Sequence, residues 1–360
     1  MKAKKLTILG TRGVPASHGG FETLAQKLAL FLVEKNKEVT VACQYRGFFF
    51  RKAVWSGVSQ KKIGVPITGS LGSILFDLVS FSTTVKSTVL VLGYNTGLFN
   101  IILKLLGNYV IVNMDGIEYD RSKYGKLAKL WLRVNEFFAI LFSDIVIADH
   151  PEIKRLLETK YPGLLKKKKP IVIGYGGETE QKTSSSKNKT PKKPYILTVC
   201  RIVPENNLDT IIDAFINSKL KKSHDLVILG NLDPKNSHHK MLLYKLNKYS
   251  NIKTPGAIYE QQKVLELRGN AACYVHGHSV GGTNPSLVEA MQHSANIIAH
   301  DNPFNKWVLD GQGLYFRDTK SLKILFDKIS ERKPEKVFFR VKNELTWDYV
   351  CHQYKETLRL

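Results

Sequence analysis

The sequence predicts an α/β protein made of two doubly wound domains, and three observations support this fold class. Short apolar strands alternate with helical periodicity in both halves of the chain, beginning with Leu6–Leu9 and an amphipathic stretch at 21–34. Residues 178–194 between the halves are rich in Lys, Ser, Thr and Pro and contain almost no apolar residue. At 360 residues, the chain is also longer than one hydrophobic core usually supports.

In the first half, a strand, a glycine-containing loop, a helix and a second strand follow one another, which is the start of a doubly wound domain. The helix is predicted at 21–34 because Leu24, Leu28, Phe31 and Leu32 recur at helical spacing. Strands are predicted at Leu6–Leu9, 38–43, 89–92, 110–114 and Ile145–Ala148.

The same pattern restarts after the polar segment. Strands are predicted at Tyr195–Val199, Asp225–Leu229, 271–275 and 296–299, and helices at 208–215, 287–292 and 347–358. We therefore expect a first domain at 1–175, a linker at 176–194 and a second domain at 195–340. The last segment, 341–360, is expected to carry a helix that packs back on the first domain.

The chain is strongly basic, with 54 Lys and Arg against 31 Asp and Glu, for a net charge of +23. This excess favours anionic partners, namely nucleic acid, an anionic membrane surface or phosphorylated substrates. The four cysteines are far apart and form no Cys-x-x-Cys pair, which fits a reducing compartment. With no signal-peptide core and no apolar span of about 20 residues, we expect a cytoplasmic protein, soluble or peripheral to a membrane.

The segment from Gly281 to Met291 has the features of a phosphate-binding turn. Asn284 is a predicted N-cap and Pro285 suits the first helical position. Backbone N–H groups of Gly282, Thr283 and Asn284 at such a helix start attract phosphate. Glu289, one turn into the helix, is placed to reach a ribose hydroxyl. Taken alone, the segment is equally compatible with an ordinary strand-to-helix turn.

Several motifs occur together in one order. They are ILGTRGVPASHGGFET at 8–23, DGIEYDR at 115–121, TVCRIVPENN at 198–207, HGHSVGGTNPS at 276–286 followed by Glu289, and DNPFN at 301–305. This series, over about residues 6–355, resembles the retaining glycosyltransferases of family four. It most resembles the bacterial rhamnosyltransferase-like subgroup that builds capsule and exopolysaccharide repeat units. The resemblance implies the GT-B fold, in which two Rossmann-like domains face each other across a cleft.

For the donor, the resemblance implies a nucleotide-diphosphate sugar held by the second domain. Arg201 would neutralise the diphosphate as a catalytic and binding residue, with the N–H groups before Pro285, while Glu289 would contact the ribose. Gly19 and Gly20 would let backbone approach the donor closely, because they lack Cβ. Neither a metal nor a cofactor is expected, since no Asp-x-Asp motif occurs. Arg201 as a surface ion-pair partner and Glu289 as a helix-dipole carboxylate are the alternatives.

For the acceptor, the resemblance points to the first domain. Asp115 follows the strand at 110–114, so it lies where open α/β sheets place their ligands, and it is a candidate catalytic or positioning group. Glu22, Glu118 and Arg121 are candidate acceptor contacts. The alternatives are turn capping for Asp115, helix capping for Glu22 and a solvated helix face for Glu118 and Arg121.

Two positions depart from the family pattern. The wider family carries two Glu residues separated by seven positions at the donor site, and here Gly281 stands at the first of them. This suggests a deoxysugar or a differently oriented sugar. The wider family also places a Lys a few residues after the donor-domain Arg, where this chain has Asn206 and Asn207.

The predicted function is therefore transfer of a sugar, most simply rhamnose from dTDP-rhamnose, to a glycan acceptor on a lipid diphosphate. A UDP- or GDP-sugar is the alternative donor. A nucleotide-cofactor oxidoreductase and a non-catalytic basic protein that binds membrane or nucleic acid are the alternatives of other classes. The first lacks the full Gly-x-Gly-x-x-Gly pattern, the second leaves the motif series unexplained, and nucleic acid is not an expected partner.

Residues 123–142 mix cations with Leu, Trp and Phe, as in a basic amphipathic helix. Such a helix suits an anionic membrane surface, with Trp131 at the interfacial level. We therefore expect the protein at the inner face of the cell membrane. A helix that packs its apolar side into the core and leaves a solvated basic side is the alternative.

Overall fold

A computed structural model describes residues 5–17, 19–114, 116, 119, 124–178, 193–294, 296–329 and 343–360. The chain divides into two compact units. The first unit comprises Met1–Gly176 and Trp347–Leu360, and the second comprises Gly177–Thr346. Of the expected linker at 176–194, residues 179–192 lie outside the described part.

The first unit is built on an eight-stranded sheet of order β3-β4-β2-β1-β5-β6-β7-β8. All neighbours in this sheet pair in parallel except β3 and β4, which are antiparallel. Its strands are β1 (Leu6–Leu9), β2 (Val39–Tyr45), β3 (Phe50–Trp55), β4 (Val58–Gly64), β5 (Thr88–Leu92), β6 (Tyr109–Met114), β7 (Ile145–Ala148) and β8 (Ile171–Val172).

The β3–β4 hairpin is absent from the sequence-based expectation. Its turn is Ser56-Gly57, with φ of 47° and 82°, which is the left-handed geometry of a tight two-residue hairpin. Strand β3 lies at the sheet edge and most of its side chains are exposed, so its sequence carries little of the apolar alternation that reveals a half-buried strand.

The helices of the first unit are α1 (Gly20–Glu34), α2 (Gly69–Ser82), α3 (Asn100–Leu105), α4 (Lys126–Leu141), α5 (Pro151–Lys160), α6 (Pro162–Leu165) and the C-terminal helix (Trp347–Thr357). The C-terminal helix buries Val350 and Tyr354 in the same core cluster as Leu24 and Leu28 of α1. Asn113 of β6 donates a side-chain hydrogen bond to the Tyr354 hydroxyl. The end of the chain is therefore part of the first unit's core.

The second unit is built on a six-stranded parallel sheet of order β11-β10-β9-β12-β13-β14. Its strands are β9 (Tyr195–Val199), β10 (Asp225–Leu229), β11 (Ile252–Lys253), β12 (Cys273–His276), β13 (Ile297–His300) and β14 (Leu314–Phe316). Its helices are α7 (Leu208–Ile216), α8 (Ser237–Leu246), α9 (Gln261–Gly269), α10 (Pro285–His293), α11 (Pro303–Val308) and α12 (Thr319–Ile329). Separate apolar clusters, with Phe215 in one and Leu287 in the other, cover the sheet.

The predicted fold class is confirmed, since both units are α/β with largely parallel sheets. In sheet order, the second unit's strands run third, second, first, fourth, fifth, sixth, so the direction of the chain reverses between β9 and β12. This is the doubly wound order, and the reversal creates a crevice at the carboxyl ends of those two strands. Within the described ranges, no helix is both long and apolar enough to cross a bilayer.

Candidate functional site

The main candidate site lies at the reversal point of the second unit. Strands β9 and β12 are parallel neighbours, with Cys273 opposite Ile196 and Tyr274 opposite Leu197. The loops at 200–207 and 277–284 therefore leave the same edge of the sheet side by side. Open α/β sheets bind their ligands in this position. The structure thus brings together Arg201 and the predicted phosphate-binding turn, which are far apart in sequence.

Asn206 and Asn207 fasten these two loops to each other. The Asn206 side-chain nitrogen donates to the carbonyl oxygen of Arg201 at 2.6 Å, and its side-chain oxygen lies 2.7 Å from Nδ1 of His278. Asn207, at φ 50°, donates to the carbonyl oxygen of Gly277 at 2.8 Å. A Cβ at Gly277 would collide with the Asn206 backbone, so this contact requires glycine. Asn206 and Asn207 are therefore two amides that hold the loops together.

The loop after β13 joins the same network. Asn302 and Asn305 both donate to the carbonyl oxygen of His278, at 3.0 and 2.9 Å. Asn305 also donates to the carbonyl oxygen of His300 at 2.9 Å. His276 at the end of β12 is buried, and burial together with neighbouring His278 holds its pKa well below the usual range. The His276 side chain is therefore neutral near pH 7, and the loop after β13 is hydrogen-bonded to the loop after β12.

The predicted helix start is confirmed at α10. The Asn284 side chain caps the helix by accepting from the Ser286 N–H at 3.0 Å, and Pro285 is the first helical residue. Gly281 has φ 118°, a conformation that other residues rarely adopt, and a Cβ there would lie 3.2 Å from Nε2 of His278. The amino end of α10, with its positive dipole, thus lies at the carboxyl end of β12 beside the reversal point.

Arg201 is exposed on the loop after β9. Its backbone carbonyl accepts from the Val203 N–H at 3.0 Å and from Asn206, so the main chain is held in place. Within the described part of the chain, its guanidinium has no hydrogen-bond or ion-pair partner. A guanidinium that needs no intramolecular partner is available for a bidentate contact with a phosphate.

Glu289 is paired with Arg268, a residue that the sequence-based reasoning missed. One Arg268 guanidinium nitrogen lies 2.6 Å from Oε2 of Glu289, and the Arg268 side chain is only 3% exposed, against 35% for Glu289. Arg268 lies in the last turn of α9, and nothing in its local sequence indicates a partner in α10. Glu289 therefore neutralises a buried guanidinium, while about a third of its own side chain stays exposed.

In the first unit, the structure places three of the candidate residues at the start of α1. Gly19 has φ 101° and Gly20 begins the helix. Glu22 turns back over this start, where its Oε1 accepts from the Arg12 N–H at 3.4 Å. Asp115, Glu118 and Arg121 lie outside the described residues. No described group of three or more His, Cys, Asp or Glu side chains is placed to hold a metal, and metal independence stays a prediction.

Family models match both parts of the chain. Residues 3–178 match a family described as a domain of unknown function, DUF1972. Residues 179–330 match the family described as glycosyl transferases group 1. No curated protein sequence matches the chain.

Solved structures resemble the chain over its whole length. Sucrose-phosphate synthase from Thermosynechococcus elongatus has a TM-score of 0.78 at 13% identity, with 99% of this chain and 98% of that chain covered. An α,α-trehalose-phosphate synthase (UDP-forming) from Burkholderia xenovorans, in complex with glucose-6-phosphate, has a TM-score of 0.74 at 10% identity, with 99% and 100% covered. An E. coli structure described as trehalose-6-phosphate bound with UDP-2-fluoro glucose has a TM-score of 0.73 at 9% identity, with 99% of both chains covered. At these identities the similarity establishes the fold, which is that of GT-B glycosyltransferases.

Proposed function

We propose that this chain, a glycosyltransferase of the GT-B type that uses a nucleotide-activated sugar, transfers rhamnose from dTDP-rhamnose to a glycan acceptor carried on a lipid diphosphate. Transfer proceeds with retention and without a metal ion, in the biosynthesis of a capsular or extracellular polysaccharide. The observation that carries the proposal is the placement of Arg201 and the capped start of α10 at one reversal point.

The chemistry follows from the charge that develops on the leaving group. The bond between the anomeric carbon and the phosphate oxygen breaks, and the nucleoside diphosphate gains negative charge. Arg201 and the amino end of α10 stabilise this charge, which lowers the barrier because both are fixed before the reaction. The acceptor oxygen forms the new bond on the same face, and its proton goes to the leaving phosphate. Asp115 orients the acceptor hydroxyl.

We assign the sugar from the absence of a side chain at Gly281. A residue with a side chain is strained there because of the φ of 118°, so no carboxylate reaches the sugar from this position. A sugar with fewer hydroxyl groups, such as a deoxyhexose, needs fewer hydrogen-bond partners and suits a site without this carboxylate. A UDP-sugar is the second candidate, since the Burkholderia xenovorans enzyme is described as UDP-forming.

The test is a mass-spectrometric assay of purified protein with a panel of nucleotide sugars and a lipid-linked monosaccharide acceptor. The expected result is a product heavier by one deoxyhexose with dTDP-rhamnose, and little product with UDP- or GDP-sugars. Transfer of a hexose from UDP-glucose alone would overturn the choice of donor. Failure to bind or consume any nucleotide sugar would overturn the proposed function.

We further propose that α4 holds the protein at an anionic membrane surface. The helix buries one face, which includes Leu132 and Ile140, in the first unit. Its other side exposes apolar residues beside Lys126, Lys129 and Arg133, and these apolar residues are Leu127 (85%), Leu130 (59%), Trp131 (39%), Val134 (39%) and Phe137 (37%). Exposed apolar and cationic side chains on one helix are typical of interfacial binding. These exposed apolar side chains favour membrane contact over the alternative, a helix that packs into the core and leaves a solvated basic side.

A further inference from the structure

The first unit contains a pocket of about 620 Å³. It lies where the loop after β1 meets β2, the β3–β4 hairpin and the start of α1. Its charged and aromatic lining consists of Arg12, Glu22, Tyr45, Arg46, Arg51 and Lys62. With four cations against one carboxylate, the pocket has the charge to hold an anion.

Three of the four cations have no ion-pair partner within the described residues. Glu22, the carboxylate of the pocket, accepts from the Arg12 N–H rather than pairing with a cationic side chain. Arg51 lies over the Tyr45 ring at 5.7 Å, which orients its guanidinium without cancelling its charge. No described carboxylate forms an ion pair with Arg46, Arg51 or Lys62. Three cationic side chains are therefore left for an outside anion.

The strand register places two of these cations against each other. Arg51 of β3 is directly opposite Lys62 of β4 in the antiparallel pair, and like charges in this position are destabilising. The next pair, Lys52 and Lys61, also places like charges opposite each other, on the other face of the hairpin. There, Lys61 donates to the Thr83 carbonyl at 2.6 Å, and burial lowers the pKa of Lys61 to about 8. Arg51 and Lys62 have no comparable relief, which an anionic ligand would supply.

Three exposed phenylalanines, Phe48–Phe50, precede the pocket residue Arg51 in the chain, and Phe50 lies on the opposite face of β3 from Arg51. These three side chains are 76%, 71% and 59% exposed, and they stand between the pocket residues Arg46 and Arg51 in the chain. The backbone of this segment is fixed, because the Phe49 carbonyl accepts from the Tyr45 hydroxyl and from the Gly64 N–H. Cations followed at once by exposed aromatic rings match a ligand with an anionic head and a hydrocarbon chain.

We propose that this pocket binds the phosphate groups of a prenyl-diphosphate-type amphiphile, and that Phe48 and Phe49 contact its hydrocarbon chain. The inference rests on the proposed function, since this ligand is the carrier end of the acceptor. Arg51 and Lys62 bind the phosphate oxygens, which removes the repulsion between the two strands. The nucleotide sugar binds in the second unit and does not use this pocket.

The experiment is calorimetric titration of the full chain with farnesyl diphosphate below its micelle concentration, and with inorganic pyrophosphate. We expect both to bind, with farnesyl diphosphate at least tenfold tighter. Arg51→Gln and Lys62→Gln should each weaken both ligands at least tenfold, while the melting temperature of the free protein stays the same or rises because the repulsion between the two cations is removed. Lys52→Gln, one residue along β3 on its opposite face, is the matched control and should change both less than twofold.

Replacing Phe48 and Phe49 by Ser together should abolish the preference for farnesyl diphosphate while leaving pyrophosphate binding unchanged. Equal affinity of the wild-type protein for the two ligands would show a site for free phosphate and would overturn the amphiphile. If Arg51→Gln and Lys52→Gln weakened binding equally, or if neither ligand bound at all, the proposal that this pocket is the binding site would be overturned. A second assay measures the slow release of nucleoside diphosphate from the sugar donor when no acceptor is present, and it reports on the second unit alone. Failure of the proposed function would appear in this assay, whereas failure of the pocket proposal would appear only in the titrations.

Discussion

The side-chain oxygen of Asn206 lies 2.7 Å from Nδ1 of His278, which ties the loop after β9 to the loop after β12. Because the Asn206 side-chain nitrogen also holds the Arg201 carbonyl, one amide sets the spacing between the guanidinium and the start of α10. The geometry of the donor site thus depends on a residue that need not touch the donor.

We expect Asn206→Ala to lower the free energy of unfolding by about 1–3 kcal/mol, because it removes two partly buried hydrogen bonds. The KM for the nucleotide sugar should rise about tenfold as the loops separate. Denaturant unfolding and initial-rate kinetics measure the two effects. Asn217→Ala, which removes one exposed amide bond to the Asp213 carbonyl, is the matched control and should leave KM unchanged. An Asn206→Ala protein with wild-type KM would contradict the positioning role.

Glu289→Ala should destabilise the second unit by about 2–3 kcal/mol, because it leaves the buried Arg268 guanidinium without its carboxylate. Glu289→Gln keeps a side-chain oxygen for Arg268, so it should destabilise the protein less than Glu289→Ala does. It should still raise the KM for the donor, because the carboxylate proposed to contact the ribose is lost. Unfolding curves and KM values for both variants separate the structural role from ribose contact. Glu266→Gln, in the helix that carries Arg268, is the control. Wild-type stability in Glu289→Ala would show that the pair contributes nothing.

Asp77 of α2 gives a pH-dependent prediction. Burial raises the pKa of its carboxyl to about 6, although a hydrogen bond from Thr96 at 2.8 Å and the nearby Arg12 act in the other direction. In the unfolded chain, the pKa is about 3.9. The folded state therefore binds the proton more tightly, so the stabilisation is fully present below about pH 4 and is lost as the pH rises through about 6.

Asp77→Asn should accordingly be more stable than wild type at pH 7, by at most about 3 kcal/mol, and the difference should disappear near pH 4. The Asn side-chain oxygen preserves the bond from Thr96. Urea unfolding of both proteins between pH 4 and 7.5 measures the difference. Asp348→Asn, an exposed carboxylate of the C-terminal helix, should show no such trend. A difference that stays constant with pH would contradict the raised pKa.

Replacing Leu127 and Leu130 of α4 by Gln should reduce binding to vesicles with anionic phospholipid by at least tenfold. Burial of each exposed leucine in the membrane interface would contribute roughly 1.5–3 kcal/mol to the free energy of binding. Stability should change by less than about 0.5 kcal/mol, since both side chains face solvent. Vesicle sedimentation is the measurement, and Met241→Gln, an exposed apolar residue of the second unit, is the control. Equal vesicle binding by the double variant and wild type would exclude α4 as the contact.

The sequence predicted the buried elements well because each carries a local signal. Apart from Asp225, the residues of Leu6–Leu9, Ile145–Ala148, Tyr195–Val199 and Asp225–Leu229 are apolar or β-branched, and the structure forms strands with those bounds. At α10, the Asn-Pro pair fixed the cap. Arg201 and the α10 turn were identified through motif resemblance, and local chemistry alone left the turn ambiguous.

The features that were missed depend on pairing between distant residues. The β3–β4 hairpin is an exposed edge whose alternation is weak, and the cationic pocket forms only when that hairpin meets the loop after β1. Arg268 pairs with a residue 21 positions later, across two helices. The role of Asn206 and Asn207 in joining the loops after β9 and β12 can be recognised only once these two strands are known to be neighbours.

The most direct test of the donor site is the steady-state rate of sugar transfer by Arg201→Ala. We expect kcat/KM for the nucleotide sugar to fall about 10²–10³-fold, because one preorganised donor to the leaving phosphate is lost. The melting temperature should not change, since the guanidinium is exposed. Lys222→Ala, which removes an exposed cation before the amino end of β10, is the control and should keep the wild-type rate. An Arg201→Ala enzyme with unchanged kcat/KM would contradict a donor site at the reversal point.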